Sequence, residues 1–577
     1  KKDNDYYKLD FSESLDVELW GAVGDELKDD SQALKKALDY CILTGTKLTS
    51  KKNKVYLISN NIIIDTLNSK SGTIIDFNFS TIKLNGANIK ITHNNNTPYL
   101  TTSLTADLNR GATFLSLANV TGIEIGDLIE VESPAITTNN INVSQYYVVN
   151  DLDGNNVYVD GYIVNDVNPQ QIIDDGKTGN IVVRLRKTGK GLTIRNFKLV
   201  GDRSKEQTSL VIQNQHNCTI ENYEVVDSTR EGIYMLYNGL TRHFNGNFKV
   251  FGYVRYDQGY NSVPSSPGGL SFGYGLIHAR NAISFVDNCE GSYGWHAFDA
   301  ARGETFITYS NCRGFKNAFT FSTHEGAWDV RYNNPDVFGG HGITTRTVFM
   351  TVNGGTLRTN FGHGIAGLGA SETSIQGVTI DNVYGGVNKG AALYTPGLII
   401  YGAGAKSKDR NQKAIIRNNL LINQSQEVSA SAEELIFENN IVKNVEGFYT
   451  SLNIKGSKKL YCRFNNLYDI INASAITFQV YNNQFAIFEN NKIFGNFQTT
   501  AGAAMFVSNG SVTADTTDIQ LINNSCSPAV ALVRNLTANS NIRFTKIERN
   551  TNYLRLFLSD IVFKMVDVFN NVGNQPI

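Results

Sequence analysis

Short stretches of alternating apolar and polar residues recur along the second half of the chain, and each one ends in asparagine. They read IIRNN, IFENN, CRFNN, IFENN, IQLINN and IERN and end at positions 419, 440, 466, 491, 524 and 550. Alternation of this length is typical of a half-buried β-strand. Asparagine suits tight turns because it tolerates left-handed backbone angles. Repetition every 21 to 33 residues therefore predicts a parallel β-helix with asparagines that hydrogen-bond from rung to rung.

A second repeat occupies residues 291–366. WHAF at 295–298 is followed by KNAF at 316–319, GHGI at 340–343 and GHGI at 362–365, with spacings of 21, 24 and 22 residues. This alignment puts His296, Asn317, His341 and His363 in equivalent places of successive rungs. The segment also holds four of the eight histidines and two of the three tryptophans. It is the candidate place of function.

One amphipathic helix is predicted at about residues 30–44. Asp29 or Asp30 can cap its start, and Gly45 ends it. Leu34, Leu38, Cys41 and Ile42 follow at helical spacing and form its apolar stripe.

Residues 93–190 interrupt the repeat pattern and contain an Asp-Gly hairpin signal at 153–154, which predicts a small inserted β domain. The predicted divisions are a polar N-terminal stub at 1–20 without a signal-peptide pattern, the capping helix and first β-helix strands at 21–92, the inserted domain at 93–190, the main β-helix at 191–550 and a C-terminal cap or trimer contact at 551–577.

Composition excludes several classes of partner. A net charge of −1 and a pI near 6.8 argue against nucleic acid, which requires a basic face. No run of 18 apolar residues occurs, so membrane insertion is not expected. The six cysteines include no CxxC pair, which argues against a zinc site or a disulfide framework. No metal ligands are assigned from the sequence.

The segment Gly21-Ala22-Val23-Gly24-Asp25, followed by Asp29-Asp30-Ser31-Gln32-Ala33-Leu34, resembles the entry motif of the pectate-lyase-like phage tailspikes. Glu26 stands where that family usually has a glycine. The resemblance covers roughly 21–92 and 191–550. It implies an all-β, right-handed parallel β-helix whose N-terminal α-helix caps the solenoid. It also implies a homotrimer attached to a phage tail or baseplate, located on the virion, which binds a bacterial surface polysaccharide.

Catalytic groups on a β-helix are expected on outward-pointing strand positions, because inward positions are packed. Alternation points Asp299 and Asp329 outward, gives His324 the parity of outward polar residues, and places Glu325 at the turn that follows. Glycoside cleavage uses two carboxylates about 5–5.5 Å apart for retention or about 6.5–9.5 Å apart for inversion. The catalytic candidates are Glu325, Asp329, Asp299, His324 and His296. The substrate-binding candidates are Trp295, Arg302, Trp328, Arg331, His341 and His363.

Each of these assignments has a structural alternative. The histidines lie two residues before an inward apolar residue, so they form either a hydrogen-bonded inner ladder or, if the adjacent glycines turn the chain, one wall of a groove. The carboxylates are either catalytic or solvated charges paired with Arg302 and Arg331. Trp328 has the parity of a core residue as well as a stacking face.

The leading hypothesis is a tailspike depolymerase that hydrolyses a polysaccharide with paired carboxylates. The alternatives are a teichoic-acid phosphodiesterase, a polysaccharide lyase and a non-catalytic glycan-binding tail fibre. No cofactor is expected, except a divalent cation if the substrate is teichoic acid or the reaction is an elimination.

Overall fold

The structure is a computed structural model of the 577-residue chain. It describes residues 14–93, 97–138, 141–168, 179–249, 273–324, 326–359, 363–368, 372–376, 378–381, 398–401, 413–422, 428–443, 452–471, 476–480, 485–496, 504–507, 516–526, 531–535, 542–550, 556–557 and 567–569. The chain divides into unit 1, residues 1–253 and 264–307, and unit 2, residues 254–263 and 308–577.

Unit 1 contains a 3-10 helix, Val17–Trp20, the helix α1, Ser31–Thr44, and short strands. The strands are β1 Leu15–Asp16, β2 Asp25–Asp29, β3 Leu48–Thr49, β4 Val55–Ile58, β5 Ile62–Asp65, β6 Thr73–Leu84, β7 Ile89–Thr92, β8 Leu100–Thr102, β9 Phe114–Ser116, β10 Leu128–Thr138, β11 Ile141–Asp153, β12 Asn156–Val159, β13 Val182–Arg186, β14 Gly189–Val200, β15 Leu210–Gln213, β16 Gln215–Val226, β17 Glu231–Leu236, β18 Leu240–Lys249, β19 Tyr274–Ala279, β20 Ile283–Asp287, β21 Glu290–Ser292 and β22 His296–Ala301. The boundary between the units falls within β23 Phe306–Ser310.

Helix α1 confirms the prediction from the apolar stripe, and Gly45 ends it in the left-handed conformation at φ 77°. The entry motif works differently from a simple cap. Asp30 makes no side-chain hydrogen bond to the helix and instead accepts the backbone N–H groups of Val23 and Gly24 at 2.8 and 3.0 Å. Asp29 accepts the N–H of Ser31 at 3.0 Å. The paired acids thus tie the glycine-containing loop to the start of the helix.

Two columns of parallel strands carry the solenoid of unit 1. One runs through β6, β14, β16 and β18, and the other through β7, β15, β17, β19 and β22. Ile75, Ile194 and Ile220 occupy the same register on three successive rungs and are all buried. Aligned apolar residues therefore form the core.

The strands between Leu100 and Arg186 form a separate antiparallel sheet in the order β8-β13-β10-β11-β12-β9. It packs on the solenoid of unit 1 through a buried cluster of Leu128, Tyr146, Val148, Tyr237 and Ala282. The backbone N–H of Tyr146 also donates to Thr305 Oγ1 at 2.6 Å. The inserted sheet is therefore fixed to a turn of the β-helix.

Unit 2 continues with β24 Arg313–Phe315, β25 Phe319–Thr323, β26 Asp329–Asn333, β27 Asp336–Phe338, β28 His341–Thr345, β29 Phe349–Asn353, β30 Thr356–Arg358, β31 Ile365–Leu368, β32 Glu372–Gln376, β33 Thr379–Asp381, β34 Leu398–Tyr401, β35 Lys413–Arg417, β36 Leu420–Ile422, β37 Val428–Glu438, β38 Ile441–Lys443, β39 Leu452–Arg463, β40 Asn466–Ile471, β41 Ile476–Val480, β42 Phe485–Glu489, β43 Lys492–Asn496, β44 Ala504–Val507, β45 Thr516–Ile522, β46 Ser525–Cys526, β47 Ala531–Asn535, β48 Ile542–Glu548, β49 Leu556–Phe557 and β50 Asp567–Phe569.

These strands stack in three parallel columns that begin at β24, β25 and β26. The first continues through β27, β30, β33 and β36, the second through β28, β31 and β34, and the third through β29, β32 and β35. Three stacked parallel columns are the architecture of a parallel β-helix. The predicted all-β solenoid is confirmed.

The asparagine pairs form two ladders in unit 2. The outer residues, Asn418, Asn439, Asn490 and Asn523, are in the left-handed region. The inner residues are buried, namely Asn419, Asn440, Asn465, Asn491, Asn524 and Asn550. From Asn440 onwards each side-chain oxygen accepts hydrogen bonds from the asparagine one rung before it, and the Asn419 oxygen accepts the backbone N–H of Val378. In CRFNN the left-handed position falls on Phe464 rather than on asparagine.

Within the described residues no helix has the length and apolar character to cross a membrane. The five cysteines whose side chains are described are buried free thiols, Cys41, Cys218, Cys289, Cys312 and Cys462.

Candidate functional site

Strict alternation fails at one position on three successive rungs of the second column in unit 1, those of β17, β19 and β22. A Cβ added to Gly232 or Gly275 would meet the core residue Phe248. The next residues, Ile233 and Leu276, are also fully buried. Two consecutive residues therefore face inward, and the residues on either side of the pair share the outer face.

The same break occurs in β22, where Ala297 and Phe298 are both buried. It places His296 and Asp299 on one side of the strand although they are three residues apart. Their Nδ1 and Oδ1 atoms lie 3.4 Å apart. Sequence parity pointed Asp299 outward and, by strict alternation, His296 inward, whereas the structure puts both on one side of β22 and buries both.

The strand register brings further polar residues to this surface. Glu231 pairs with Tyr274, which pairs with His296, and Tyr234 aligns through Ile277 with Asp299. We call the surface formed by Glu231, Tyr234, Tyr274, His296 and Asp299 the Glu231–Asp299 face. Glu231 and Asp299 are 8% and 1% exposed, so both carboxylates are largely withdrawn from water.

Hydrogen bonds and ring contacts fix these side chains. Glu231 accepts hydrogen bonds from Arg230 Nε at 3.0 Å and from the Thr208 hydroxyl. The rings of Tyr274 and His296 meet edge to face at 4.8 Å. The half-buried Trp295 lies nearly parallel to His296, with centroids 5.9 Å apart. The face is therefore preorganised.

Both carboxylates act on Tyr274. Burial raises the pKa of the Tyr274 phenol, and the negative charges of Asp299 and Glu231 raise it further. Tyr274 is one rung from Glu231 and one rung from His296, about 4.8 Å along the solenoid axis in each direction. A neutral phenol therefore lies between Glu231 and His296 in the register, with Asp299 close enough to affect it, and these groups can donate and accept protons.

In unit 2, Asp329 and Arg331 form a bidentate ion pair. Arg331 Nε and Nη2 donate to the Asp329 oxygens at 3.0 and 2.8 Å. Arg331 is exposed while Asp329 is 6% exposed. This geometry favours the ion-pair alternative for Asp329. Trp328 is 1% exposed, so its assignment as a sugar-stacking surface is wrong in this structure, and its core parity explains the outcome.

His341 and His363 hydrogen-bond to each other. Their Nδ1 atoms are 2.9 Å apart, and the backbone N–H of His363 also points to His341 Nδ1 at 3.3 Å. His341 Nδ1 is thus an acceptor, and His363 Nδ1 carries the shared proton. The Thr344 hydroxyl lies 2.7 Å from His363 Nε2 and is its donor. Burial holds the pKa of both imidazoles below its usual range, with a further contribution of His363 at His341.

These histidines combine the two alternatives drawn from the sequence. They form a ladder through their ring nitrogens. The bond to Thr344 nevertheless puts them on the side of the strand opposite to the inward residue Ile343. This is possible because Gly342 and Ile343 are consecutive inward residues, which breaks the alternation. The bonds to each other and to Thr344 engage both ring nitrogens of His363 and Nδ1 of His341, which favours the ladder, and contact with substrate stays a prediction. The predicted register is wrong between Asn317 and His341, since His341 pairs with Phe319, and it is confirmed between His341 and His363, since Ile343 pairs with Ile365.

Three candidates remain, His324, Glu325 and Arg302. His324 is half-buried and follows β25, and Glu325 lies outside the described residues. Arg302 is exposed at the turn after β22. Within unit 1 the structure thus brings together Trp295, His296 and Asp299, and within unit 2 it brings together Asp329 with Arg331 and His341 with His363.

Sequence reasoning missed Glu231, Tyr234 and Tyr274. Their rungs are 43 residues apart, as the bonded pair Asn238 and Asn281 shows. This distance is about twice the spacing of the repeat at residues 291–366. The repeated glycine of Glu231-Gly232-Ile233 and Tyr274-Gly275-Leu276 is the signal that could have aligned them.

Fold and site together define a parallel β-helix protein with a buried acidic and aromatic face on one strand column. Neither a protein-family model nor a curated protein sequence matches the chain.

Among solved structures, the chain is similar to the Gp54 tailspike of Acinetobacter baumannii bacteriophage AP22 in complex with A. baumannii capsular saccharide, at 11% identity and a TM-score of 0.46, over 96% of this chain and 79% of that one. The tailspike gp49 from Pseudomonas phage LKA1 matches at 12% identity and a TM-score of 0.44, over 87% and 84%. A Yersinia enterocolitica family 28 exopolygalacturonase matches at 11% identity and a TM-score of 0.28, over 98% and 79%. Phage tailspikes and other parallel β-helix proteins are thus among the similar structures.

Proposed function

We propose that the protein is a tailspike depolymerase that cleaves a bacterial surface polysaccharide by glycoside hydrolysis at the Glu231–Asp299 face. The observation that carries this proposal is the placement of two buried carboxylates around one neutral phenol, Tyr274. Hydrolysis needs one carboxyl as the acid that protonates the leaving oxygen and a second as base or nucleophile.

Trp295 supports a sugar-binding role because its half-buried indole borders this face. Aromatic rings bind the apolar faces of sugars with little loss of side-chain entropy. The virion location, the homotrimer and the attachment to a phage tail belong to the same proposal and rest on the resemblance of the entry motif at residues 21–34.

Elimination is a second candidate, and the contact of His296 with Asp299 favours it. A carboxylate 3.4 Å from an imidazole can orient the ring and stabilise its protonated form, as required of a base that removes a sugar proton. Here Tyr274 would supply the proton to the leaving oxygen.

Mass spectrometry of products from a panel of bacterial surface polysaccharides separates these chemistries. A gain of one water per cut is expected for hydrolysis, and an unsaturated end would assign the elimination. A terminal phosphate would indicate a phosphodiesterase and contradict both. Uncleaved polymer that still binds would contradict the enzymatic proposal and leave a glycan-binding tail fibre.

A further inference from the structure

The turn that follows the second strand column of unit 1 carries large side chains in a backbone conformation that such residues rarely adopt. The register aligns Gln213, Leu236, Ala279 and Ala301, so the next residues form one turn column of Asn214, Tyr237, Arg280 and Arg302. Their φ angles are 54°, 55°, 61° and 38°. Asparagine accommodates this left-handed region, whereas bulky residues there are strained, and such strain is concentrated at functional sites.

The other left-handed turn column of unit 1 shows the ordinary solution. Asn196, Asn222, Asn245 and Asn288 occupy it, and their amides bond from rung to rung. Replacement of asparagine at three successive turns therefore calls for a specific reason at each position.

Packing accounts for Tyr237, which belongs to the cluster that holds the inserted sheet. The Arg186 guanidinium lies 4.3 Å from the centre of its ring, and Arg186 in turn donates to Glu130 at 2.6 Å. Arg280 lies 5.1 Å from the same ring and donates to the Tyr237 hydroxyl. Glu130 is thus paired directly with Arg186, and Arg280 contributes a positive charge beyond that pair.

Packing does not account for Arg302. Its side chain is exposed, and in the described part of the chain no carboxylate lies within ion-pair distance of it. Its backbone is nevertheless closely held. Gly303 follows at φ 87°, and a Cβ there would come within 2.5 Å of the Tyr146 ring. With the hydrogen bond between Tyr146 and Thr305, the inserted sheet fixes the turn that presents this cation.

Both arginines follow the Glu231–Asp299 face closely along the chain: Arg302 comes three residues after Asp299, and Arg280 comes three residues after Ile277, which pairs with Asp299. Arg280 and Arg302 each act electrostatically on Tyr234, where they oppose the effects of burial and of Glu231, which raise the pKa of its phenol. Positive charge on this turn column would offset part of the repulsion that an acidic ligand meets from the two buried carboxylates.

We propose that Arg302 and Arg280 bind an anionic substituent of the glycan, such as the carboxylate of a uronic acid, and that the inserted sheet holds their turn in place for this contact. Guanidinium groups suit carboxylates because their planar donors match the two oxygens. This inference rests on the proposed function, whose substrate it narrows to acidic polysaccharides.

The test is affinity electrophoresis through gels that contain uronic-acid capsular polysaccharides, each compared with the same polymer after chemical reduction of its carboxyl groups. We expect the wild type to bind at least one acidic polymer and to lose tenfold or more in affinity for the reduced form. Arg302→Asn should lose tenfold or more in affinity for the acidic polymer. Its melting temperature should stay equal or rise, because asparagine relieves the strained turn. Arg302→Lys should retain part of the affinity.

Arg242→Asn is the matched control. It removes a cation from another strand of unit 1, where Arg242 donates to Asn217, and should change affinity less than twofold. Equal binding of acidic and reduced polymers, or wild-type binding by Arg302→Asn, would overturn the inference and leave the proposed function standing. Absence of both binding and cleavage with every polymer would contradict the two together.

Discussion

The Glu231–Asp299 face of unit 1 and the histidine ladder of unit 2 use the same backbone device for different ends. In each, two adjacent inward residues bring a histidine and the third residue after it to one side of a strand. In unit 1 the outcome is His296 beside the carboxylate of Asp299. In unit 2 the equivalent hydroxyl of Thr344 and the two imidazoles bond to one another. The backbone thus provides equivalent positions in the two units. The side chains at those positions determine whether a carboxylate lies beside the imidazole, as at Asp299, or a hydrogen-bonded network of neutral groups forms, as at Thr344.

The largest expected contrast is in turnover. Asp299→Asn should lower the rate of polysaccharide cleavage by about 10²-fold or more, because it removes a carboxylate needed for proton transfer. Asp329→Asn should remain within about threefold, because the Arg331 ion pair engages both of its oxygens. Product release measured by reducing ends compares the two variants under identical conditions.

Thermal melts of both variants serve as the control, since each substitution keeps the side-chain shape. If Asp329 is the catalytic carboxylate predicted from the sequence, Asp329→Asn will show the large loss of turnover and Asp299→Asn the small one. The active site would then lie in unit 2.

Removal of one imidazole from the ladder should affect stability more than rate. His363→Ala leaves the Thr344 hydroxyl without its bond to Nε2, at about 1–3 kcal/mol for a buried group, while His341 Nδ1 keeps the backbone N–H of position 363. We expect the free energy of unfolding in urea to fall by about 1–3 kcal/mol, with turnover changed less than threefold. A large loss of activity in a stable variant would place the ladder in the active site.

Acid should weaken the protein through its buried imidazoles. Burial lowers the pKa of His363 to about 3, below its unfolded value near 6.5, so the unfolded chain binds more protons under pH 6.5. Stability is therefore fully present above pH 6.5 and is lost progressively as the pH falls towards 3. Between pH 6.5 and 5 one such histidine accounts for up to about 2 kcal/mol.

Urea midpoints at pH 7.5 and 5.0 measure this loss. His243 in unit 1 has its pKa lowered to about 3 by burial as well, so His243→Leu should reduce the pH dependence without abolishing it. An unchanged wild-type midpoint across this range would show that neither core contains buried neutral imidazoles.

The smallest expected effect is an increase in stability at one exposed turn. Phe464 is 45% exposed and adopts the left-handed conformation that asparagine occupies on other rungs. Phe464→Asn should raise the free energy of unfolding by about 1 kcal/mol, because asparagine tolerates φ near 55° and can join the outer ladder. The reverse change at Asn439, which donates to Asn418 at 2.6 Å, should be destabilising by at least as much.

Local signals were sufficient for the solenoid and its helix. The Asn-Asn motif encodes both a left-handed turn and a buried amide, and the apolar stripe from Leu34 to Ile42 encodes α1. In both cases the residues that cause the structure lie within a short stretch of sequence. The capping role expected of Asp30 failed because its partners, Val23 and Gly24, belong to the loop before the helix.

The candidate site was only partly predictable because it depends on register. Asp299 was found from the parity of a single strand. Glu231 and Tyr274 were missed because they join the face only through a pairing across a long insertion. The placement of His296 depends on Ala297 facing inward together with Phe298, a departure from period two that one strand by itself does not reveal.

The inner asparagine ladder makes each rung a template for the next. The amide of Asn440 can be satisfied only when Asn465 is already in register, and Asn465 depends in the same way on Asn491. The last rung of a growing solenoid therefore always has an inner asparagine whose hydrogen bond to the next rung is not yet made. Only a turn that brings another asparagine into register can complete that bond. Such a chain can change its length in evolution only by whole rungs, since the loss of an entire repeat restores the pairing whereas the loss of one amide interrupts it.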